Sequence, residues 1–396
     1  MANADRAGQD VGTAYGRPAP AHDARLAEVD AGTPMGELMR RYWHPIGLAG
    51  DATETPKQVR VLGEDLILFR DGAGRAGLLY PRCAHRGTTL YYGRVEERGL
   101  RCCYHGWLFG VDGRCLEQPC EPDGGPMRDK VRQPWYPLAE RYGLIFAYLG
   151  PPARKPTLPR YDALEELGPA EFLEADDSSI GSGGGGPVVP CNWLQHFENV
   201  MDPLHVPILH GSFSGPQFVE QMAAMPSVDY APTQYGMKST QCRPLDGGGT
   251  FKRVTEVVLP TLRVVASPRV DQYRRVEALG WVLPIDDRHF RIYVAGRVSE
   301  AGELGRQRAR FNGKLWRELD EAEHQRFPGD WEAQVGQGPI TYHSEEHLGE
   351  SDKGIAMLRR MLRRQVKAVA DGEDPIGVQR GQEDLVRLEA GNFADP

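Results

Sequence analysis

Between Trp43 and about Pro151 the apolar positions come in short runs broken by turn residues, the texture of small antiparallel strands. Val59 and Val61, then Leu66-Ile67-Leu68-Phe69, flank Gly63-Glu64-Asp65, while Asp71-Gly72 and Asp112-Gly113 read as hairpin turns. Tyr142 to Leu149 is a continuous apolar run and predicts a buried closing strand. Before this block, residues 24–42 predict one short helix whose end is Gly36 to Tyr42. After it, Pro151, Pro152, Lys155, Pro156 and Pro159 form a stiff boundary.

The second half has longer elements. Asn192 predicts a helix N-cap, with Gln195 as its capping-box partner. Strands are expected over 251–259, 262–266, 275–283 and 289–296, the last with Phe290, Ile292 and Val294 alternating. A late helix, capped by Ser351 and ending at Gly372, carries Ile355, Leu358, Leu362, Val366 and Val369 on one core-facing stripe. The run Gly183 to Gly186 has no strand before it and no Gly-Lys-Ser/Thr after it, so it reads as a loop and not a nucleotide cradle. Three segments result: an N-terminal arm and helix over 1–42, a strand-rich domain over 43–151, and a larger domain over 152–396.

Composition narrows the function. A net charge of −8 without a basic run argues against nucleic acid, and no apolar stretch approaches a membrane span. Residues 1–20 lack an apolar core of a signal peptide and read as a disordered arm. The seven cysteines, beside the absence of such a signal, predict free thiols in a reducing cytoplasm.

Within the strand-rich domain, Cys83-Ala84-His85 and Cys102-Cys103-Tyr104-His105 give C-x-H and C-x-x-H. Two thiolates on one iron and two imidazoles on the other are the ligands of a Rieske [2Fe–2S] centre. A zinc site of the Cys2His2 kind pairs like with like, whereas each loop here supplies one Cys and one His. Cys102 is preferred to Cys103 because it completes the C-x-x-H. Gly87 and Gly106 follow the two His residues, where tight loops bring backbone N–H groups toward sulfur.

A second candidate site lies between Asn192 and His210. In a helix Asn199, Asp202 and His205 fall at i, i+3 and i+6, with His210 off that face until Pro203 and Pro207 distort the backbone. Two His with one carboxylate form the facial triad of non-haem Fe(II). A surface helix end is the plainer alternative for such a His pair, but an upstream electron carrier needs an acceptor.

Taken together, Cys83-x-His85, Cys102-x-x-His105-Gly106-Trp107 and Asn199-x-x-Asp202-x-x-His205-x4-His210 resemble the large subunit of the Rieske non-haem iron oxygenases. Gly32 to Gly36, Arg41 to Pro45, Gln337 to Ile340 and Glu346 to Asp352 resemble the phthalate dioxygenase-like group. The resemblance implies an α+β protein: an all-β Rieske domain and a helix-grip catalytic domain of antiparallel sheet and long helices. It implies that a downstream Asp completes the iron site. Asp330, in Pro328 to Gln334, holds the matching position, with Glu332 and Asp320 as neighbouring carboxylates. It further implies a head-to-tail trimer or hexamer in which Asp202 links His105 of one chain to His205 of the next. Asn199 stands either beside the iron or on an outer helix surface.

The implied activity uses O2 and electrons from a separate flavin- and iron–sulfur-containing reductase to dihydroxylate an aromatic acid. O-demethylation or diaryl-ether cleavage would use the same irons. A pure electron carrier would lack the second site, and a respiratory Rieske protein would place extra Cys where Thr88 and Tyr104 stand. Lys252, Arg253, Arg263 and Arg275 are the candidates to meet a substrate carboxylate, since a buried anion needs pairing.

Overall fold

The computed structural model describes residues 14, 16–178, 184–213, 220–245, 247–266, 274–304, 314–381 and 385–395. Most of the N-terminal arm, and Gly183 of the glycine run, lie outside the described residues.

The strand-rich part contains three small antiparallel sheets. Lys57–Val61, Glu64–Arg70 and Ala76–Leu79 form one, with Leu62 and Gly63 at positive φ in the first turn. Arg94–Glu96, Gly99–Arg101, Leu108–Phe109 and Cys115–Glu117 form the second. Leu144–Tyr148 is fully buried because it is the middle strand of the third, between Trp43–Leu48 and Leu138–Arg141.

The larger part is built on an eight-stranded antiparallel sheet. Its path runs through Phe172–Asp176, His289–Val298, Ala278–Asp286, Leu262–Val264, Thr250–Val258, Gly236–Pro244 and Ser227–Pro232, with Gly391–Asp395 also paired to Thr250–Val258. Register assigns the two faces. Leu262 lies opposite Trp281, and Trp281 meets Phe146 edge-to-face at 5.7 Å, so this face packs on the strand-rich part. Arg263 lies opposite Gly280 on the other face, which the helix Trp193–Val200 covers. One apolar core is continuous from Leu26 through Phe146 and Trp281 to Leu362.

Three local expectations are corrected. Residues 24–42 form two short helices, Ala24–Ala27 and Pro34–Met39, each with its own cap, Asp23 and Thr33. Asn192 does cap its helix, accepting from Leu194 N at 3.0 Å, but Gln195 gives no capping box. Its amide instead donates to Gln334 O and Gly338 O and accepts from Thr341 N, a use that needs partners far along the chain. The last helix, Lys353–Ala370, starts after Asp352, and Ser351 belongs to the preceding turn. Leu358, Leu362 and Val369 of the predicted stripe are buried. Among the described residues no helix is long and apolar enough to cross a membrane.

The Trp193–Val200 helix is fixed from its outer side by charge. Glu198 is buried and takes two bonds from Arg359, whose guanidinium also holds Glu346. Burial pushes the Glu198 carboxyl up, while the Arg359 charge opposes that. Breaking such a pair strands a buried charge, at about 3–5 kcal/mol. Arg359→Met is therefore expected to lower stability by about that amount in urea titration, and adding Glu198→Gln should recover most of it.

Candidate metal centres

The two Cys-His loops are built from hydrogen-bonded turns. Cys83 N donates to Thr88 O and Gly87 N returns to Cys83 O; Cys102 N donates to Trp107 O and Gly106 N to Cys102 O. Gly87 and Gly106 adopt φ of +76° and +71°, which a side chain would resist, and a Cβ at Gly106 would lie 2.8 Å from Pro119. The fold brings the buried Cys83 and Cys102 thiols together, while Cys103 points outward and is exposed. Burial pushes the Cys83 thiol up to about 11, although the N–H groups of His85 and Arg86 are aimed at its sulfur. His85 and His105 meet with ring centroids 4.5 Å apart, and His85 stacks on Trp107 at 4.4 Å. Two thiols on the buried side, two imidazoles on the outer side and amides directed at sulfur fit a Rieske cluster.

One support of this site was not legible in the sequence. Gln133 is fully buried, accepts from Ala84 N at 2.8 Å and donates to Tyr80 O and Arg82 O, so it staples the first loop to the sheet. A lone Gln gives no spacing signal.

The second site comes from a break in the helix. The Trp193–Val200 helix stops at Met201. Asp202 Oδ1 then accepts from Leu204 N at 3.0 Å and His205 N at 3.3 Å, starting a new turn. The chain resumes as a π-helix over Val206–Phe213, in which five residues make roughly one turn. That geometry, and not a continuous α-helical face, brings His210 to the side of His205; their rings meet at 5.3 Å.

Asp330 opens the helix Asp330–Val335, and its Oδ1 lies 3.2 Å from His210 Nε2 and 3.5 Å from His205 Nε2. The ligand atoms of His205, His210 and Asp330 all lie within 4.8 Å of one another, close enough to share one ion. Burial raises the Asp330 carboxyl, but bonds from both imidazoles outweigh it and hold the group well below the usual carboxylate range. Burial lowers His205, and the Asp330 contact outweighs it to give a net rise. Asn199 faces this site: its Nδ2 donates to Asp330 Oδ1 at 3.2 Å and lies 3.4 Å from His205 Nε2.

The neighbouring carboxylates have other work. Asp320 caps the helix Glu321–Arg326. Glu332 accepts from Gly329 N, Trp316 Nε1 and His324 Nδ1, each at 2.8 Å, and so fixes the turn from which Asp330 projects.

Asp202 differs from expectation in one respect. Within the chain, His205 Nδ1 donates to the Asp202 backbone carbonyl, not to its carboxylate. That bond fixes the tautomer which leaves Nε2 for a metal. The Asp202 Oδ2 atom is 3.7 Å from His205 Nδ1, and the Asp202 side chain is 29% exposed. Of the candidate cations, Arg275 is committed elsewhere, at 2.6 Å from Asp162 and bonded to Leu388 O. Lys252 alternates onto the opposite face from Arg253. Arg253 and Arg263 face the helix that carries Asn199, together with Arg243, which sequence reasoning missed.

The Rieske [2Fe-2S] domain family matches residues 42–137. The chain is 51% identical to the phenoxybenzoate dioxygenase subunit alpha of Ectopseudomonas oleovorans, over 97% of this chain and 95% of that one. It is 30% identical to the phthalate 4,5-dioxygenase oxygenase subunit of Pseudomonas putida, over 90% and 88% of the two chains. Its fold is similar to that of NdmA from Pseudomonas putida CBB5 with caffeine, at a TM-score of 0.62, 19% identity, and coverage of 85% and 94%.

Exchange of Asp330 for Ala is expected to cost the protein one iron per chain while the visible absorption of the cluster persists. Iron quantification against protein concentration, read beside the spectrum, checks this.

Proposed function

The chain belongs to the Rieske non-haem iron oxygenases, and from that premise we propose that it oxygenates an aromatic carboxylic acid of the diaryl-ether kind. It is an oxidoreductase with a Rieske [2Fe–2S] cluster and one mononuclear iron. When bound, the cluster supplies single electrons and the iron, with coordination positions left open, activates O2. Cys83, Cys102, His85 and His105 would hold the cluster, and His205, His210 and Asp330 the iron.

The observation that carries the substrate reading is the wall beneath the His205–His210 segment. Ser239, Gln241 and Arg243 on one strand, and Arg253 and Thr255 on the next, share one sheet face and are buried. Val206 of the π-helix packs against the small cluster of Met222 and Phe251, and Phe251 lies on that same face opposite Arg243, which brings the wall toward the iron segment. Arg243 donates to Ala224 O at 2.8 Å, and its second terminal nitrogen is buried with no hydrogen-bond partner among the described residues. Burial lowers the Arg243 and Arg253 guanidiniums to about 10, so both remain cationic at neutral pH. Buried cations call for an anionic group, and a planar guanidinium matches a carboxylate.

The relative at 51% identity is named for phenoxybenzoate, an aryl ether bearing a carboxylate. In the proposed reaction both atoms of O2 join adjacent ring carbons, consuming two electrons and two protons to leave a cis-diol. Where one of those carbons bears the ether oxygen, the diol is a hemiketal and collapses with release of a phenol. The chain's own residues position this chemistry. Arg243 and Arg253 anchor the acid, Asn199 and the Asp202 carbonyl orient the ligands, and the packed helix limits water.

Electrons come from a separate reductase, and the partly exposed Asp202 carboxylate supports a head-to-tail ring in which it meets His105 of the next copy. The domain division at 151 is retained in this reading. All seven cysteines are unpaired, which supports a cytoplasmic setting.

The Fe(II)-loaded protein with a flavin- and iron–sulfur-containing reductase is expected to convert phenoxybenzoate, with a phenol among the products. Oxygenation of neutral aromatics with none of the acids would overturn the reading. Arg243→Met should raise KM about tenfold or more with a smaller effect on kcat, because it removes ground-state anchoring. Asp202→Ala should keep both metal contents and lose nearly all coupled turnover.

A further inference from the structure

The glycine run that reads in the sequence only as a loop lies against the neighbour of an iron ligand. Gly184, Gly185 and Gly186 pass along Trp316 and Trp331, and Trp331 directly follows Asp330. The contact is tightest at Gly185. A Cβ there would fall inside van der Waals distance of Cδ2, Cε3 and Cζ3, all in the six-membered ring of Trp331. At Gly184 a Cβ would lie 3.3 Å from Trp316 Cβ, and at Gly186 3.9 Å from Trp331 Cη2, ordinary or near-ordinary contacts. An indole cannot give way as the end of a flexible side chain can, so at Gly185 any side chain must displace it.

Trp331 has little freedom to be displaced alone. It packs on the main apolar core and meets Trp316 with ring centroids 5.0 Å apart. Trp316 is itself tied, its Nε1 donating at 2.8 Å to Glu332 in the same first helical turn as Asp330. A push on the indole therefore reaches the backbone that carries Asp330. The Asp330 Oδ1 atom lies 3.2 Å from His210 Nε2 and 3.5 Å from His205 Nε2, and a metal accepts ligand distances only within about 0.2 Å. The far end of the glycine segment is also fixed. Pro187 and Pro190 restrict its backbone, Val189 pairs with Phe290 through bonds of 2.8 and 3.1 Å, and Asn192 caps the helix that carries Asn199. Residues 184–192 thus run from the Asp330 helix to the start of the Asn199 helix, held at both ends.

We propose that the Gly185–Trp331 contact is a positioning device for the mononuclear iron: a backbone without a side chain seats the indole, and the seated indole fixes where Asp330 projects. Neither residue supplies a ligand. Packing alone would change the stability of the whole chain and leave the metal affinity of the folded site as it is, so the two roles move different quantities. The inference rests on the assignment of Asp330 to the iron.

The test is titration of the full chain, with its cluster in place and the mononuclear site emptied by chelation, using Fe(II) without O2. A parallel titration uses Co(II), whose visible spectrum reports ligand geometry. Gly185→Ala is expected to weaken Fe(II) binding about tenfold or more and to alter the Co(II) spectrum, with the cluster absorption retained. Gly36→Ala, which crowds the carbonyl oxygens of Val29 and Asp30, is the control and should bind Fe(II) like wild type. Trp331→Leu should also weaken binding, because the seat is empty. Combining it with Gly185→Ala should give tighter binding than either single variant, since the methyl then occupies space the ring has left. Wild-type affinity in Gly185→Ala, a loss no larger than that of Gly36→Ala, or a double variant weaker than both singles would overturn the contact. If Gly185→Ala does not fold, as judged by circular dichroism and the cluster spectrum, the double variant against Trp331→Leu decides, and equal or weaker binding by the double counts against it. Wild type that binds no Fe(II), or Asp330→Ala that binds it as tightly as wild type, would overturn the Asp330 assignment and the contact with it.

Discussion

The convergence of three chain segments on one carboxylate oxygen organises the functional half of this molecule. Asp330 Oδ1 lies within 3.5 Å of Asn199 Nδ2, His205 Nε2 and His210 Nε2, groups that come from an α-helix, a turn and a π-helix. A partly buried carboxylate is stabilised by a donor such as the Asn199 amide and by imidazoles that gain charge beside it. The neighbouring scaffold serves that geometry. Glu332 fixes the turn before Asp330, Gln195 and His196 tie the Asn199 helix to the Asp330 helix, and Arg359 holds the outer side of the Asn199 helix through Glu198.

Local chemistry was the legible part of the sequence. The Cys-His loops, the hairpins at Asp71-Gly72 and Asp112-Gly113, and the apolar stripe of the last helix depend on residues near one another, and short spacings report them directly. The family resemblance carried the identification of Asp330, which lies 120 residues beyond His210 and has no local signature. What could not be read were side chains whose partner is distant. Gln195 looks like a capping residue because its true partners, Gln334, Gly338 and Thr341, are far downstream. Gln133 and His196 are invisible for the same reason. Arg275 looked as eligible as Arg263 until the register placed Asp162 against it.

The large sheet separates the two tasks of the chain by alternation alone. Even-numbered Leu262 belongs to the face that meets the strand-rich part through Trp281, and its neighbour Arg263 to the face that meets the iron helices. A shift of one residue in this register would exchange the face that packs on the strand-rich part for the one that backs the iron helices. The burial of both faces therefore protects the site as much as it stabilises the fold.

Gly280 gives this architecture a point of evolutionary leverage. Its missing side chain is the floor on which the Arg263 guanidinium lies, so one nucleotide change to alanine would lift a cation out of its bed without touching a metal ligand. Such a change would move one buried charge and leave His205, His210 and Asp330 where they stand, so the sheet behind the iron segment can be altered without altering the ligand set.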